Sequence, residues 1–554
     1  MSTKKPVDRR TKVLEFRDEA TEYAILSHRW IDPTEVDYEE IVDLGKMDMQ
    51  EQKEIRGRQG YKKIVDTCKK AKQDGYEWVW IDTCCIDKRS SAELSEVINS
   101  MYRWYANAKI CYAYLHDVDG SSFPKKDDEK YHKSNGRPEW FSRGWTLQEM
   151  IAPQNLQFFN KDWQPIGDKK KLVQTLGKIT GVPKHILVDG LEGNRPCVAQ
   201  IISWAANRTT TRPEDRAYSL MGLLDVNMPM LYGEGKKAFH RLQLEIIRSS
   251  NDQSIFAWRH DSKDVRIGSI LADDPSDFED CCHLELMEHD ELIKEFPKLS
   301  LTNVTGDLDA FPTTNRGIHI WILARRHRDS NSVFKAYLPC HSMSLKGPVT
   351  IDLVLWNSNY YRYPSTQYDT RIEDPPAEFR RVYLRYEDIP NHTVTFDIDD
   401  SAIIENGFTH SHKGPKSFTG NTVTLTNANP FCVKTYFAER SKSHFKVVFG
   451  QCLGLGWVDL SCIDKVSMTQ GPDWALSMAD RGGFHGRLWI RHLQLPEPTW
   501  IVRTYRVAWE RSKIRLRMEV FRGSHFRNDL NEWRAYDVEV SDCLVYVDDY
   551  HDYP

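Results

Sequence analysis

Four short apolar runs decide the fold of the first part of the chain: Tyr23-Ala-Ile-Leu-Ser27, Trp78-Val-Trp-Ile81, Ile110-Cys-Tyr-Ala-Tyr-Leu115 and Leu156-Gln-Phe-Phe159. Nearly continuous apolar runs of four to eight residues are typical of strands that are buried on both faces of a parallel sheet. Each run is therefore interpreted as a strand of one sheet.

Helix patterns lie between these runs. After a charged stretch from Asp32 to Gln59, an apolar stripe over 64–71 predicts a helix that stops at Gly75. A Ser90-x-x-Glu93 capping box predicts the start of a second helix, and 145–150 is helical in pattern. Because strands and helices alternate, the sequence predicts an α/β domain with a doubly wound parallel sheet.

The pattern changes twice further along the chain. Residues 166–260 carry helical stripes, among them 198–205, 217–224 and 239–246. From about residue 261 the apolar period becomes two, and the strand candidates are 318–323, 350–356, 381–385, 393–397, 422–426, 444–449, 501–509, 514–521 and 536–540. The prediction is an arm at 1–19, an α/β domain at 20–165, a helical extension at 166–260, and a β-rich sandwich or barrel at 261–554.

Composition excludes several classes of protein. The 554 residues carry 75 Lys and Arg against 80 Asp and Glu, a net charge of −5, which lacks the basic footprint of a nucleic-acid binder. No run is long and apolar enough for a membrane span, and no secretory signal is expected. The 12 cysteines are expected to be reduced thiols in the cytoplasm. The two pairs of adjacent cysteines, Cys84-Cys85 and Cys281-Cys282, lack the spacing of zinc ligands, so no metal is predicted. No cofactor is predicted either.

Ligands of open α/β sheets bind beyond the carboxyl ends of the strands. The polar residues in that position are Ser27 to Trp30, Asp82 to Asp87 and the helix entry around Trp145. These segments are the candidate site. Further along, Arg208, Arg212, Glu214 and Asp215 are expected to fix the helical extension to the sheet.

The same segments form three blocks, Tyr23-Ala-Ile-Leu-Ser-His-Arg-Trp30, Trp80-Ile-Asp-Thr-Cys-Cys-Ile-Asp87 and Arg143-Gly-Trp-Thr-Leu-Gln-Glu149. In order and spacing they resemble the three motifs of the fungal HET (heterokaryon incompatibility) domain. His28, Cys84 and Lys88 depart from the family's usual Tyr, Leu and Gln. The segment from Trp204 to Trp258 resembles the helical extension of HET domains in mushroom-forming fungi.

The resemblance implies a role in allorecognition, in which such proteins trigger cell death when incompatible hyphae fuse. HET domains are also similar to TIR domains, which have a flavodoxin-like sheet, and some TIR domains cleave NAD⁺ with one glutamate. The offset from Trp145 to Glu149 matches the TIR pattern, so the resemblance implies Glu149 as the catalytic residue and NAD⁺ as substrate.

One carboxylate suffices for this chemistry, because nicotinamide leaves as a neutral molecule and needs no general acid. The carboxylate would stabilise the oxocarbenium-like centre. Trp30 or Trp145 could stack on the nicotinamide ring, and Arg29 or Arg143 could pair with the pyrophosphate. Ser27 and His28 would contact a ligand in the crevice. Asp82 and Asp87 either contact the ligand as well or fix their loops by hydrogen bonds.

Structural alternatives stand beside each assignment. Trp145 could be a core anchor, Glu149 a helix cap or ion-pair partner, and Arg143 a partner of Glu149 or Asp82. At the level of function, a non-catalytic death-signalling module that self-associates and recruits an unknown partner protein is the main alternative. A third is a thiol enzyme that uses Cys84 or Cys85 with His28.

Overall fold

The computed structural model describes residues 22–522 except 32, 125–127, 194, 260–267, 297–298, 300–307, 309–310, 328–331, 343–346, 357, 364–374, 388–391, 413–417, 427–430, 439–442, 453–454, 462–491, 496–499 and 511–512. The predicted arm at 1–19 and the predicted strand at 536–540 lie outside the described residues. The boundaries between the four predicted segments stay predictions.

The first sheet is built from the four predicted strands and one more: β1 (Ala24–His28), β2 (Val79–Trp80), β3 (Ile110–Tyr114), β4 (Leu156–Phe159) and β5 (Pro165–Asp168). Their order is β2-β1-β3-β4-β5. The pairings among β1 to β4 are parallel, as predicted, and the β4–β5 pairing is antiparallel. The order in which strands are added to the sheet therefore reverses between β1 and β3, and doubly wound sheets form their ligand crevice at such a point.

The helices that accompany this sheet are α1 (Tyr38–Asp43), α2 (Met49–Gly57), α3 (Gln59–Gln73), α4 (Ser91–Asn107) and α5 (Thr146–Ile151). The last three match the predicted patterns. The charged stretch after Asp32 is not a plain connection, because it holds α1 and α2, each opened by a capping box (Asp37 with Glu40, Asp48 with Glu51). Those Asp-x-x-Glu spacings were readable in the sequence.

The predicted helical extension contains α6 (Lys169–Thr180), α7 (Lys184–Asp189), α8 (Val198–Ser203), α9 (Asp215–Tyr218), α10 (Met221–Leu224) and α11 (Lys237–Ser249). Their apolar stripes are buried in the same core as the first sheet. The stripe over 217–224 is divided between two four-residue helices. The turn at Gly233 to Lys236 is fixed because Glu214 accepts both glycine amides, at 2.8 and 2.9 Å.

The β-rich part begins with β6 (Leu284–Leu286), α12 (His289–Lys294), β7 (Thr313–Thr314), β8 (Gly317–Arg326), β9 (Val333–Ser342), β10 (Pro348–Trp356), β11 (Asn359–Tyr363) and β12 (Glu378–Leu384). From β8 to β12, each strand pairs with the next one along the chain. The last of them, β12, also pairs with β8, so the five strands form a closed barrel. The barrel confirms one of the two predicted β architectures. Its inner residues belong to the core of the first sheet and the helices.

A second β unit follows: β13 (Thr393–Asp399), α13 (Ser401–Glu405), β14 (Thr409–His412), β15 (Phe418–Thr419), β16 (Thr422–Thr426), β17 (Phe431–Ala438), β18 (Ser443–Cys452), β19 (Leu455–Ser461), β20 (His492–Leu495), β21 (Trp500–Glu510) and β22 (Lys513–Arg522). They form a sheet ordered β15-β16-β13-β22-β21-β20 and another ordered β14-β17-β18-β19. The rings of Phe396 and Phe449 meet between the sheets at 5.4 Å, within a separate core. No helix in the described ranges is long and apolar enough to cross a membrane.

Candidate functional site

The structure brings the first and third sequence blocks together through one hydrogen-bond chain. The Trp140 indole Nε1 donates to Ser27 Oγ at 2.8 Å, and Ser27 Oγ donates to Glu149 Oε2 at 2.5 Å. Ser27 lies near the carboxyl end of β1, and Glu149 lies in the first turn of α5. The predicted catalytic residue is therefore held at the strand ends that form the crevice.

Glu149 is enclosed, with only 3% of its surface exposed. Burial raises the pKa of its carboxyl from 4.5 to about 8, and the nearby Asp82 contributes to the rise, while Ser27 and Arg143 oppose it. The carboxyl is therefore mainly neutral at pH 7 in the arrangement described here.

Two buried cations hold the ends of α5. Arg208 Nη1 donates to the Arg143 carbonyl at 2.8 Å and to Thr146 Oγ1 at 3.0 Å, at the start of the helix. At its other end, Lys169 Nζ donates to the carbonyls of Met150 and Ile151, both at 3.2 Å. A cation at a helix carboxyl end is favourable. Arg208 was expected to join the helical extension to the sheet, and it does so at the helix that carries Glu149.

A second polar cluster lies beside this chain, at the ends of β1 and β2. Five buried atoms in it have no hydrogen-bond partner among the described residues: His28 Nδ1 and Nε2, Glu35 Oε2, Asp82 Oδ1 and Thr83 Oγ1. His28 Nδ1 lies 3.7 Å from Asp82 Oδ1, and Nε2 lies 3.9 Å from Glu35 Oε2. Since buried polar atoms are nearly always paired with protein or water, these are positions that ordered water or ligand hydroxyls would satisfy.

The cluster contains a neutral histidine and a largely buried ion pair. Burial lowers the pKa of His28 well below its ordinary value, and the cations Lys63, Arg143 and Lys88 add to that effect. Lys63 is itself buried and donates to Glu35 Oε1 at 2.5 Å. Glu35 and Lys63 were not among the predicted site residues, because neither lies in a recognisable motif. Only the folded chain places them against His28.

The loop that carries Glu35 packs directly on Gly60 of α3. A Cβ at position 60 would lie 2.5 Å from the Thr34 carbonyl oxygen and 2.7 Å from the Glu35 Cα, both backbone atoms that cannot rotate away.

Gly60→Ala is therefore expected to lower the free energy of unfolding by about 1–3 kcal/mol, measured by urea unfolding. The matched variant Gly57→Ala has no atom within 4 Å of its new Cβ and should be neutral or stabilising. Equal stability of the two variants would contradict this packing.

Two side chains that were predicted to contact a ligand, Trp30 and Arg29, have partners within the protein instead. Trp30 Nε1 donates to Asp82 Oδ2 at 2.7 Å, and Lys88 Nζ lies 3.6 Å from the centre of the Trp30 ring. Arg29 forms an ion pair with Glu139. In this arrangement a ligand would have to displace these partners before it could contact Trp30 or Arg29.

Asp87 was interpreted either as a ligand contact or as a residue that fixes its loop. In the structure its carboxylate and its amide form hydrogen bonds within the segment from Asp87 to Glu93. Its carboxylate accepts hydrogen bonds from the Arg89 side chain, and its backbone amide donates to Glu93. Glu93 therefore reaches Asp87, while Ser90 caps α4 by accepting from the Glu93 amide.

Trp145 and Arg143 differ in their surroundings. Trp145 is half-buried and hydrogen-bonds to Asp215 of the helical extension, which also accepts from the Tyr232 hydroxyl at 3.0 Å. This contact agrees with Trp145 as an anchor between the two parts. The guanidinium of Arg143 forms no ion pair or hydrogen bond with any described residue, although it lies close enough to lower the pKa of Glu149.

The thiol alternative loses support from the geometry. Cys84 and Cys85 are buried, and a hydrogen bond to Cys85 together with burial raises the pKa of Cys84 well above its ordinary value. A nucleophilic cysteine needs a lowered pKa and access. Within the ranges that the structure covers, no group of three or more His, Cys, Asp or Glu side chains is arranged to hold a metal ion.

Comparisons with known proteins give the following matches. Residues 237–270 match a family described as a domain of unknown function, DUF8212. Two structures of the Xerocomus chrysenteron lectin XCL, one mutated and one wild type, match at 11% and 12% identity with TM-scores of 0.18 and 0.19. Each match covers 24% of this chain, and 98% and 99% of the lectin chains.

A curated relative, the vegetative incompatibility protein HET-E-1 of Podospora anserina, is 40% identical over 258 residues. The match covers 45% of this chain and 18% of the length of that relative. Residues 23–137 match the family model described as heterokaryon incompatibility protein (HET). That match ends before Arg143, Trp145 and Glu149. Residues 23–137 of this chain are therefore similar in sequence to HET domains.

Proposed function

We propose that this chain acts in fungal heterokaryon incompatibility as a cytoplasmic cell-death effector, and that its HET domain is TIR-like and hydrolyses NAD⁺ at Glu149. The observation that carries the proposal is the Trp140–Ser27–Glu149 chain at the crevice edge of the sheet. The likeness to an incompatibility protein supports the biological role. The strand order β2-β1-β3-β4 supports the TIR-like fold, since flavodoxin-like sheets share it.

The proposed reaction breaks the bond between the ribose C1′ and the nicotinamide nitrogen. The bonding electrons leave with nicotinamide, water adds to C1′, and one proton is released, so the products are ADP-ribose and nicotinamide. Ionised Glu149 would stabilise the positive charge that develops on the ribose. The ribose hydroxyls would find partners in the unsatisfied atoms of His28, Asp82 and Glu35.

The arrangement described here corresponds to a resting state in this proposal. Glu149 is enclosed and mainly neutral, whereas the reaction needs an exposed carboxylate. Opening of the crevice would relieve the desolvation that raises its pKa and would restore the charge. Self-association or a recognition partner is the proposed trigger.

The test is release of nicotinamide from NAD⁺ by the purified full chain at high concentration with a crowding agent. Glu149→Gln removes the charge and nearly preserves the shape, so we expect the rate to fall by at least about 10²-fold. Glu96→Gln, an exposed position on α4, is the matched control and should retain the rate. Equal rates for the wild type and Glu149→Gln would refute the assignment of Glu149.

A non-catalytic signalling module is the second candidate, and the enclosure of Glu149 together with the anchoring of Trp145 favours it. Expression of both variants in a yeast host distinguishes the two candidates. Full killing by Glu149→Gln, with the protein folded, supports the signalling module. Loss of killing supports the enzyme.

A further inference from the structure

A groove of about 570 Å³ lies on the connection between α8 and α9, on the outer side of the residues that hold α5. Its polar lining consists of Asn207, Arg208, Arg216 and the three threonines at 209–211. Ala206 and Pro213 complete the lining, and no Asp or Glu contributes to it. The volume falls in the range of small-molecule sites.

The two arginines of the groove are not equally neutralised. Arg216 is paired with Asp274 at 2.6 Å and also donates to the Ala205 carbonyl at 3.0 Å. Arg208 donates through Nη1 and Nε to protein oxygens, and its Nη2 makes no hydrogen bond to a described residue. Arg208 has no carboxylate ion-pair partner among the described residues, so no direct contact neutralises its positive charge.

Free donors line the mouth of the groove. The backbone amides of Thr210 and Thr211 donate to no described residue, and Thr211 is exposed. A guanidinium with neighbouring backbone amides is a donor set that binds phosphate groups. An anionic ligand therefore matches this groove in charge and in hydrogen bonding.

We propose that this groove binds the pyrophosphate of a dinucleotide. The assignment deepens the proposed NAD⁺ hydrolysis and rests on it for the identity of the dinucleotide. It places the phosphate site at Arg208 and the groove threonines, whereas the sequence motifs pointed to Arg29, which is paired with Glu139, or to Arg143.

Arg208 links the groove to the helix that carries the candidate catalytic residue. Arg208 contacts Thr146 at 3.0 Å, and Thr146 precedes Glu149 by three residues, about 4.5 Å along the helix axis. The wall of the groove also packs on the start of α5, since a Cβ on Gly144 would lie 2.6 Å from Thr210 Cγ2. Arg208 thus contacts α5 about one helical turn before Glu149.

Isothermal titration of the full chain with inorganic pyrophosphate and with ADP-ribose, at one fixed ionic strength, tests the groove directly. We expect both probes to bind the wild type, ADP-ribose more tightly, and Thr211→Glu to weaken both at least about tenfold because it adds a negative charge at the mouth. Thr424→Glu, at an exposed threonine of β16, is the matched control and should leave both affinities unchanged.

Three results would overturn the proposal: no binding of either probe, affinities unchanged by Thr211→Glu, or ADP-ribose binding no tighter than pyrophosphate. The last result would identify a site for free phosphate groups instead of a dinucleotide. Binding of ADP-ribose does not require catalysis, so it can be measured on Glu149→Gln as well. Tight binding of ADP-ribose without nicotinamide release, at the high concentration and crowding that favour self-association, would count against the glycohydrolase and leave the groove as a binding site for ADP-ribose.

Discussion

Glu149→Gln is expected to make the protein more stable than the wild type at pH 9 by several kcal/mol, and equally stable at pH 4. The variant keeps a side chain of nearly the same shape in the same enclosed position. What it removes is an ionisable group whose pKa is raised from 4.5 to about 8 by burial and by Asp82.

The direction follows from proton binding. Below pH 4.5 Glu149 is protonated in both the folded and the unfolded chain, so it contributes nothing to the pH dependence. Between pH 4.5 and 8 the unfolded chain loses this proton and the folded chain keeps it, so stability falls as the pH rises. Above pH 8 the loss is complete, and a tenfold change in proton affinity corresponds to about 1.4 kcal/mol, which gives about 5 kcal/mol in all.

The measurement is urea unfolding of both proteins from pH 4 to pH 9. Other groups titrate in both proteins and largely cancel in the difference between them. Glu96→Gln should show no such trend, because its side chain is exposed. A difference between the wild type and Glu149→Gln that stays flat with pH would contradict the enclosed carboxyl. Since the variant is expected to be the more stable protein near neutrality, any loss of activity in it cannot come from unfolding.

Lys434→Met is expected to destabilise the second β unit by about 3–5 kcal/mol. Lys434 and Asp400 are almost fully buried, and Lys434 Nζ lies 2.7 Å from Asp400 Oδ2. The Tyr436 hydroxyl donates to the same oxygen at 2.7 Å. Burial disfavours the Asp400 carboxylate, but these two donors hold its pKa below the ordinary value. Without Lys434 a buried carboxylate would lose its counter-charge.

A double variant separates the lost pair from the lost side-chain volume. Lys434→Met with Asp400→Asn removes both charges, so it should recover most of the stability that the single variant loses. The core of this unit, from Val394 to Met518, is separate from the core of the preceding residues. We therefore expect calorimetry to show the loss in one unfolding transition and no change in the other. A loss that is shared by the whole chain would contradict two independent cores.

The two sets of variants report on different claims. Glu149→Gln tests the enclosure of the candidate catalytic residue without any assumption about its substrate. Lys434→Met tests whether the second β unit unfolds independently of the preceding residues. Neither outcome depends on whether NAD⁺ is hydrolysed, so a failure of the proposed chemistry would leave both structural conclusions measurable.

Local sequence patterns determined four of the five strands of the first sheet, the helices α3, α4 and α5, and eight of the 17 strands β6 to β22. They did so because helix caps, turn residues and apolar periods act over a few residues, which is the range that a sequence displays directly. The pattern of strand ends also led us to expect two of the candidate site residues close together. Ser27 and Glu149, 122 positions apart, do share a hydrogen bond.

Only the tertiary structure decided the state and the surroundings of that site. The neutral form of Glu149 depends on burial against Ser27, Trp140 and the sheet, and the charge of the groove depends on Arg208, which comes from the later connection between α8 and α9. Glu35 and Lys63 meet His28 from segments without any motif. The closed barrel likewise depends on the pairing of β8 with β12, which are far apart in the chain. Burial, pKa values and ion pairing are set by groups that meet across long sequence separations, and no pattern within one segment records which groups those are.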